Sequence, residues 1–402
     1  MLKHVLALGF TQTIAWASST YLIAIVAAPI ATDLGLSLST VFGAFSVSLV
    51  VMAFAGPAAG RAIDRWGGRG VLALSNLVLA SGLLMLSAAS DVEMLFGAWC
   101  VIGLGMALGL YDAAFATLVR LHGADARRPI TGITLIAGFA STVGWPLTAF
   151  LVEHFGWRTA CGAWAAIHIL ITLPVNLYLI PGMTGSRAAA AASTTDAAAE
   201  SRADDGDGAP PLSRAAYRRA FLLLVIFGAM TSFVTSAMAA HLPGLLLAVG
   251  TSTAAALTAA ALLGPAQVAA RLTEFLAAQR FRFHPLLTAR IATACHPVAG
   301  AILAVFGGPA LVASFFSVLH GAGNGMITIA KGTLPLAIFG AAGYGHRQGL
   351  LSILGRGMQA LAPYAFGVVL ERHGPRAGIG LSIALSLIAL AALMGLRATQ
   401  KD

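Results

Sequence analysis

Charged side chains inside apolar runs are the residues of this sequence best able to do chemistry. Arg356 interrupts the run LSILGRGMQALAPY, and Arg271 and Glu274 interrupt another such run. A charge at the centre of a membrane helix costs about 2.5–3.5 kcal/mol on insertion scales, so such residues face a partner, a water-filled cavity or a bound ligand. The guanidinium of arginine is a rigid fork of donors that matches the two oxygens of a carboxylate.

Arg356 lies about ten residues into its predicted helix, at a depth from which its side chain does not easily reach the membrane surface. Two interpretations remain open for it. It binds the carboxylate of a substrate, or it pairs with a protein acid such as Asp112. Gln359 lies three residues later and therefore shares the helix face of Arg356, which makes it a candidate contact of the same ligand.

The other intramembrane charges are candidates for gating or binding. Arg271 and Glu274 are three residues apart and share a helix face. Either they form a gate pair at the inner end of the helix, or Arg271 binds an anion. Asp112 and Lys331 occupy matching positions in the two halves of the chain, which predicts an ion pair between the halves. The alternative is that Lys331 extends to the membrane surface.

His320 lies in the middle of an apolar run. Because histidine titrates near neutral pH, His320 is a candidate carrier of a coupled proton, and a packing role is the alternative. His168 and His296 are assigned no chemistry. The remaining candidate substrate contacts are polar or aromatic residues of presumed cavity helices, namely Gln12, Trp16, Tyr21, Gln267 and Asn324.

The composition identifies the elements that position these side chains as membrane helices. Of the 402 residues, 58% are hydrophobic and 10% are charged, and the mean hydropathy is +0.86. Soluble domains have about 25% charged residues, so a soluble globular protein is excluded. A span needs about 20 mostly apolar residues. Twelve such stretches are predicted, close to 5–28, 39–59, 70–90, 93–118, 130–152, 159–180, 218–241, 253–277, 286–306, 309–332, 347–370 and 377–396.

The distribution of basic residues orients these spans. The net charge is +9, and most of the positive charge falls on loops of one side. The residues on that side are Lys3, Arg61, Arg65, Arg69, Arg120, Arg127, Arg128, Arg214, Arg218, Arg219, Arg280, Arg282, Arg347, Arg397 and Lys401. This bias predicts a multi-pass protein of the bacterial inner membrane with both termini cytoplasmic, and it explains the charge without nucleic acid as a partner.

One polar segment divides the chain. Residues 186–214 are rich in alanine, serine and aspartate and contain no aromatic residue, which predicts a mobile cytoplasmic linker. The expected domains are an N-terminal six-helix bundle at 1–181, the linker at 182–215 and a C-terminal six-helix bundle at 216–402. The two halves echo each other, for example in EHFGWR at 153–158 and ERHGPR at 371–376.

The loop GRAIDRWGGR at 60–69 resembles the signature of the major facilitator superfamily. The residues of this loop are Gly60, Arg61, Asp64, Arg65, Gly67 and Arg69, while Gly68 replaces a basic residue of the pattern. The resemblance implies two pseudo-symmetric six-helix bundles. Asp64 is expected to accept hydrogen bonds from a neighbouring helix end or an arginine when the cytoplasmic side is closed.

Three further stretches resemble the monocarboxylate transporters and the oxalate/formate antiporters: 127–158, 264–271 and 348–371. The resemblance implies that Arg271 contacts a substrate carboxylate and that Gln267 stands where the family often has an acidic residue. It also places a basic residue near Arg356 in oxalate-type members. The glycines of 127–158, including Gly138, are interpreted as packing positions.

These features predict an all-α integral membrane protein with twelve transmembrane helices. It is expected to be a monomeric secondary transporter that moves a small organic anion by alternating access, with proton coupling or by exchange. The chain has no catalytic constellation, no ATP-binding motif and no metal-ligand spacing, so no enzyme activity, cofactor or metal is expected. The alternative is a proton-driven exporter of drugs or metabolites, which would need an acidic cavity where only Asp112 is available.

Overall fold

The computed structural model describes residues 2–182, 213–281 and 284–396. Within these residues all regular structure is helical. The predicted linker at 182–215 lies almost wholly outside the described residues, as do the basic residues Arg282, Arg397 and Lys401.

The helices before residue 183 form the first half of the described chain. They are α1 (Leu2–Ala17), α2 (Ile23–Asp33), α3 (Leu38–Trp66), α4 (Gly68–Ser87), α5 (Val92–Gly109), α6 (Tyr111–His122), α7 (Arg127–Ala137), α8 (Ala140–Ile167) and α9 (Leu173–Leu179). A 3₁₀ turn at Gly123–Ala126 links α6 to α7, and a π-helical turn at His168–Thr172 links α8 to α9.

The helices after residue 212 form the second half. They are α10 (Arg214–Ala248), α11 (Thr253–Arg280), α12 (Pro285–Phe306), α13 (Ala310–Phe339) and α14 (Tyr344–Met394). At about 1.5 Å per residue, the 51 residues of α14 are long enough to cross a ~30 Å hydrocarbon core more than once.

Two of the predicted spans are interrupted. The first span is divided between α1 and α2 by residues 18–22, where Ser18 and Ser19 donate to the carbonyl oxygens of residues one turn earlier. Hydroxyls that bond their own backbone often bend a membrane helix. The fourth span is divided between α5 and α6 at Leu110, whose backbone is extended.

Two helices each contain a turn between two crossings. The backbone of α8 has φ 81° at Gly156, and that of α14 has φ 77° at Gly374. Glycine adopts a positive φ without the steric cost of a Cβ, so the chain can change direction at both positions. The two glycines occupy the same place in the echoing segments EHFGWR and ERHGPR.

Eight helical stretches of the described residues are long and apolar enough to cross a membrane. Two of them, Val92–Leu179 and Tyr344–Met394, are long enough for several crossings. With the turns at Gly123–Ala126, Gly156 and Gly374 between crossings, and with α1 and α2 together as the first span, the architecture corresponds to the twelve predicted crossings.

Glycines with positive φ recur in corresponding places of the two halves. Besides Gly156 and Gly374, the pairs are Gly35 with Gly250 and Gly123 with Gly340. The two members of each pair are separated by nearly the same length of chain. This recurrence supports the prediction that the two halves are repeats of one six-helix unit, with the domain boundaries given above.

The two halves meet at one end of the bundle, which contains the loop after α3 and the start of α14. A methyl group on Gly60 would collide with the backbone of Gly345, and one on Gly349 would lie 2.5 Å from the backbone of Pro57. Only glycine permits these close approaches of α3 and α14. We call this end of the molecule the loop end.

Candidate functional site

The signature loop joins the halves at the loop end. The carboxylate of Asp64 accepts hydrogen bonds from the backbone N–H groups of Gly345 and His346, at 2.9 and 2.8 Å. These donors open α14, and the start of a helix favours negative charge. The other charged loop residues, Arg61, Arg65 and Arg69, are exposed.

A second contact between the halves is formed by Glu274 of α11. Its carboxylate lies 3.1 Å from Arg127 and accepts a hydrogen bond from Thr131 at 3.4 Å. Arg271 and Glu274 therefore do not pair with each other in this conformation. The two side chains do share a helix face, but each reaches a different residue of α7 in the other half.

Arg271 lies in the interior, between the two halves, and is 6% exposed. Its guanidinium donates to the carbonyl oxygen of Thr134 at 2.9 Å and to that of Gly325 at 3.3 Å. Weaker bonds reach Gln267 Oε1 at 3.4 Å and Thr328 Oγ1 at 3.5 Å. All of these partners are neutral, so no carboxylate among the described residues balances the buried charge through a hydrogen bond or an ion pair.

A stripe of α7 provides the surface against which Arg271 and Glu274 pack. Arg127, Thr131, Thr134 and Gly138 recur at helical spacing, so they lie on one face. A Cβ at Gly138 would lie 2.9 Å from Nη1 of Arg271. The absence of a side chain at Gly138 therefore leaves the space that the guanidinium occupies, a role that the packing interpretation of this glycine missed.

Aromatic side chains of the first half lie next to Arg271. The hydroxyl group of Tyr111 interacts with its guanidinium through a hydrogen bond, and that of Tyr21 lies within electrostatic range of it. The ring of Trp16 lies 5.0 Å from that of Tyr111 and 6.2 Å from that of Tyr21. Gln12, one turn before Trp16, donates from Nε2 to the carbonyl oxygen of Gly109.

Arg356 has a protein acid as partner. Its Nη2 lies 3.5 Å from the carboxylate of Asp112, and its Nη1 donates to Gln359 Oε1 at 3.0 Å. Gln348 Nε2 also donates to Asp112, at 3.1 Å. Of the two interpretations left open by the sequence, this conformation contains the pair with Asp112.

The predicted ion pair between Asp112 and Lys331 is not formed in this structure. Lys331 Nζ instead donates to Ser232 Oγ of α10 at 2.9 Å. The first turns of α14 lie against α6, so Gln348 and Arg356 reach Asp112, while the side chain of Lys331 turns toward its own half.

Asn324 and His320 occupy different surroundings on α13. Asn324 Oδ1 accepts a hydrogen bond from Thr235 of α10 at 2.8 Å. The buried ring of His320 stacks on His296 of α12, with 4.3 Å between centroids. No hydrogen bond or ion pair found among the described residues links His320 to the charged groups above.

The side chains of His168 and His296 are both buried. His168 lies within hydrogen-bonding distance of Ser18 at 2.8 Å and of Asn76 at 3.0 Å. These contacts tie α1 and α4 to the π-helical turn, and hydropathy alone contains no signal that predicts them.

Residues 8–363 match the family model of the Major Facilitator Superfamily. The chain belongs to this superfamily. The superfamily consists of transporters, so the expectation that the protein is not an enzyme is confirmed. The predicted fold class is confirmed as well, because the described residues form only helices and share their arrangement with solved structures of this family.

Two curated relatives have a related sequence over part of the chain. They are monocarboxylate transporter 3 of Gallus gallus, 30% identical over 117 residues, and monocarboxylate transporter 3 of Rattus norvegicus, 31% identical over 130 residues. The matches cover 28% and 31% of this chain, and 21% and 26% of the relatives. The chain thus matches about a quarter of their length, and the resemblance to this branch is confirmed at that level.

Solved structures match almost the whole chain. The human organic anion transporter MFSD10 (TETRAN) has a TM-score of 0.71 at 14% identity, over 97% of this chain and 99% of that chain. The proton:xylose symporter XylE has a TM-score of 0.71 at 14% identity, over 97% and 94%. Identities this low show the fold alone.

Proposed function

We propose that this protein is a secondary active transporter of a small organic anion that carries a carboxylate. The observation that carries the proposal is the charge balance at Arg271, a buried guanidinium whose described hydrogen-bond partners are all neutral. A buried charge without a counter-ion is costly, and a bound anion would offset that cost. The partial sequence match to monocarboxylate transporters supports the choice of a carboxylate.

The geometry of Arg271 suits the capture of a carboxylate. Nη1 now donates to a backbone carbonyl and Nη2 makes only the long bonds to Gln267 and Thr328. A carboxylate would replace these with two parallel bonds between opposite charges, in the bidentate geometry that a guanidinium favours. The hydroxyl groups of Tyr21 and Tyr111 are additional donors beside the same guanidinium.

The contacts between the halves define what must open during transport. Asp64 with the start of α14, and Glu274 with Arg127, both join the two halves. These contacts must break before a ligand at Arg271 can leave through the loop end. In our proposal the loop end is cytoplasmic, as the distribution of basic residues predicts, and this conformation is closed on the cytoplasmic side.

Asp112 is the proposed site of proton coupling. Its carboxylate is held by Arg356 and Gln348 across the interface between the halves. A proton on Asp112 would remove the charge that attracts Arg356, and the pair would loosen. One proton taken up with one carboxylate leaves the net charge of the cycle unchanged. His320 stays an alternative carrier of that proton.

The remaining features of the proposal follow from the sequence. The protein works as a monomer in a bacterial inner membrane, with both termini cytoplasmic and without a cofactor. Its partners are the organic anion, protons and the lipid bilayer.

The test is uptake by purified protein in liposomes under an inward proton gradient. The panel contains labelled lactate, pyruvate, formate and oxalate, together with a cationic dye. We expect gradient-driven uptake of at least one acid. We expect its rate to fall by about 100-fold in Arg271→Gln, because loss of one partner of a buried charge pair costs roughly 2–5 kcal/mol of binding.

Arg372→Gln is the matched control, because Arg372 is exposed and its substitution should leave uptake unchanged. Dye transport without uptake of any acid would contradict the proposal and favour the exporter. Acid uptake that persists in Arg271→Gln would remove Arg271 from the binding site.

A further inference from the structure

We propose that the anion bound at Arg271 is an aromatic carboxylate. This inference rests on the proposed function, because it specifies the chemical class of the ligand that the same site takes. It is supported by a group of aromatic side chains that the first half places near the guanidinium.

Three aromatic side chains of the first half, from α1, the break after it and α6, form a continuous cluster near Arg271. Trp16 lies 5.0 Å from Tyr111 and 6.2 Å from Tyr21, with the rings tilted. The cluster extends to Phe115, which stacks on Tyr111 at 5.2 Å, and to Trp145, which meets Tyr21 edge to face at 5.6 Å. These separations are in the range of 4.5–7 Å in which aromatic rings attract one another.

The cluster reaches the guanidinium through Tyr111, whose hydroxyl interacts with Arg271 through a hydrogen bond, while Tyr21 lies within electrostatic range of the same charge. A carboxylate held by Arg271 would therefore place its substituent against these rings. An aryl group can stack on them or meet them edge to face. Formate or acetate is too short to use this surface.

Two polar atoms of the cluster lack a partner. Trp16 Nε1 and Gln12 Oε1 are buried, and neither has a hydrogen-bond partner among the described residues. The two residues are one turn apart and share a face of α1. A buried polar atom without a partner is costly, so the cluster is incomplete as a packing core and fits a polar, aromatic ligand.

The test is competition for uptake into proteoliposomes that contain the full chain. Unlabelled benzoate, cyclohexanecarboxylate and acetate compete with labelled benzoate, and labelled acetate is measured in parallel. Cyclohexanecarboxylate has the same charge and a similar size but no π system. We expect benzoate to compete about three- to tenfold better than cyclohexanecarboxylate, because aromatic pairs gain roughly 0.5–1.5 kcal/mol beyond their buried area.

Variants show whether the ring cluster causes the preference. In Trp16→Leu the KM for benzoate should rise about three- to tenfold, while the KM for acetate stays the same. Tyr111→Leu should raise the KM for benzoate further than Tyr111→Phe does, because only the leucine variant removes the ring. Tyr111→Phe keeps the ring and should retain the preference for benzoate over cyclohexanecarboxylate. Phe315→Leu is the matched control, because Phe315 is an exposed aromatic residue on α13.

The outcomes separate this inference from the proposed function. Uptake of acetate with no preference for benzoate over cyclohexanecarboxylate would overturn the inference and leave the carboxylate transporter standing. An equal rise of both KM values in Trp16→Leu would overturn it too, because a merely structural role affects both acids. Failure of every carboxylate to enter would overturn both proposals.

Discussion

Two arginines of the second half lie at the interface with the first half, and their surroundings differ in charge. Arg271 donates only to neutral oxygens, whereas Arg356 lies 3.5 Å from the carboxylate of Asp112. At the same interface, one arginine is therefore paired with an acid and the other has only neutral partners. An unbalanced buried cation attracts an external anion, while a balanced one responds first to protonation of its partner.

Arg271 and Arg356 therefore have different proposed tasks. In our proposal Arg271 binds the anion, and the pair of Arg356 and Asp112 responds to a proton. Sequence motifs treat both arginines as candidate anion ligands. The distinction arises from the acid that the first half supplies to one of them and not to the other.

The largest expected effect concerns the pair of Arg356 and Asp112. Arg356→Gln and Asp112→Asn should each destabilise the protein, and the double variant should be less destabilised than the sum of the two. We expect a coupling free energy of about 1–3 kcal/mol, as for residues in direct contact. Chemical unfolding of the four purified proteins in detergent measures it. Additive effects would show that the pair does not stabilise this conformation.

The next prediction gives Arg271 an acidic partner, as Arg356 already has. Gln267→Glu places a carboxylate beside the guanidinium that Gln267 now contacts through its amide oxygen at 3.4 Å. We expect the KM for the transported acid to rise about tenfold, which corresponds to ~1.4 kcal/mol. The isosteric variant Gln267→Met is the control without a charge. If Gln267→Glu transports with an unchanged KM, the charge balance at Arg271 does not govern binding.

A smaller effect is expected at Gly138. Its backbone is helical, so alanine is compatible with the conformation, but its methyl group would lie 2.9 Å from Arg271 Nη1. Overpacking of this kind costs roughly 1–3 kcal/mol, and displacement of the guanidinium should raise the KM by several-fold. Gly162→Ala is the control, because a Cβ there meets open space. Equal KM values in the two variants would contradict this role of Gly138.

The smallest expected effect is a pH dependence of stability at the loop end, where two histidine side chains contact each other. His4 Nδ1 lies 3.3 Å from His122 Nε2, and burial lowers the pKa of both imidazoles, with the charge of His122 contributing further at His4. The unfolded chain then binds protons more readily, so stability should fall as the pH drops below about 6.5. Melting temperatures measured between pH 7.5 and 5 give this dependence of stability on pH.

His122→Gln should flatten this dependence of the melting temperature on pH, because it leaves a single imidazole at the contact. His373→Gln, at an exposed histidine, should not change the slope. A slope that is the same in wild type and His122→Gln would exclude this contact as its cause.

The fold was predictable because membrane spans are encoded locally. Each span is a run of apolar residues long enough to cross the bilayer, and the signature loop is a short continuous motif. The breaks at residues 18–22 and at Leu110 were less visible, because they depend on hydroxyls that bond their own backbone and on packing between helices. The turns at Gly156 and Gly374 could be expected only from the repeat of EHFGWR and ERHGPR.

The site was predictable only in part, because the sequence locates charges without naming their partners. The spacing of Arg271 and Glu274 indicated a shared face, yet Glu274 pairs with Arg127 and Arg271 reaches Thr134. Asp112 was expected to meet Lys331 and instead meets Arg356. In each case the partner comes from a helix that is distant in sequence.

By itself the sequence determined which residues lie in the membrane and which of them are charged, because the cost of burying a group depends on that group and its immediate neighbours along the chain. Only the tertiary structure decided which charges are balanced. The two halves face each other across an interface, and a shift of one helical turn in either half would give Asp112, Gln348 and Arg356 different partners. Since ion pairing acts over a few ångströms, that placement leaves Arg271 without an acidic partner among the described residues.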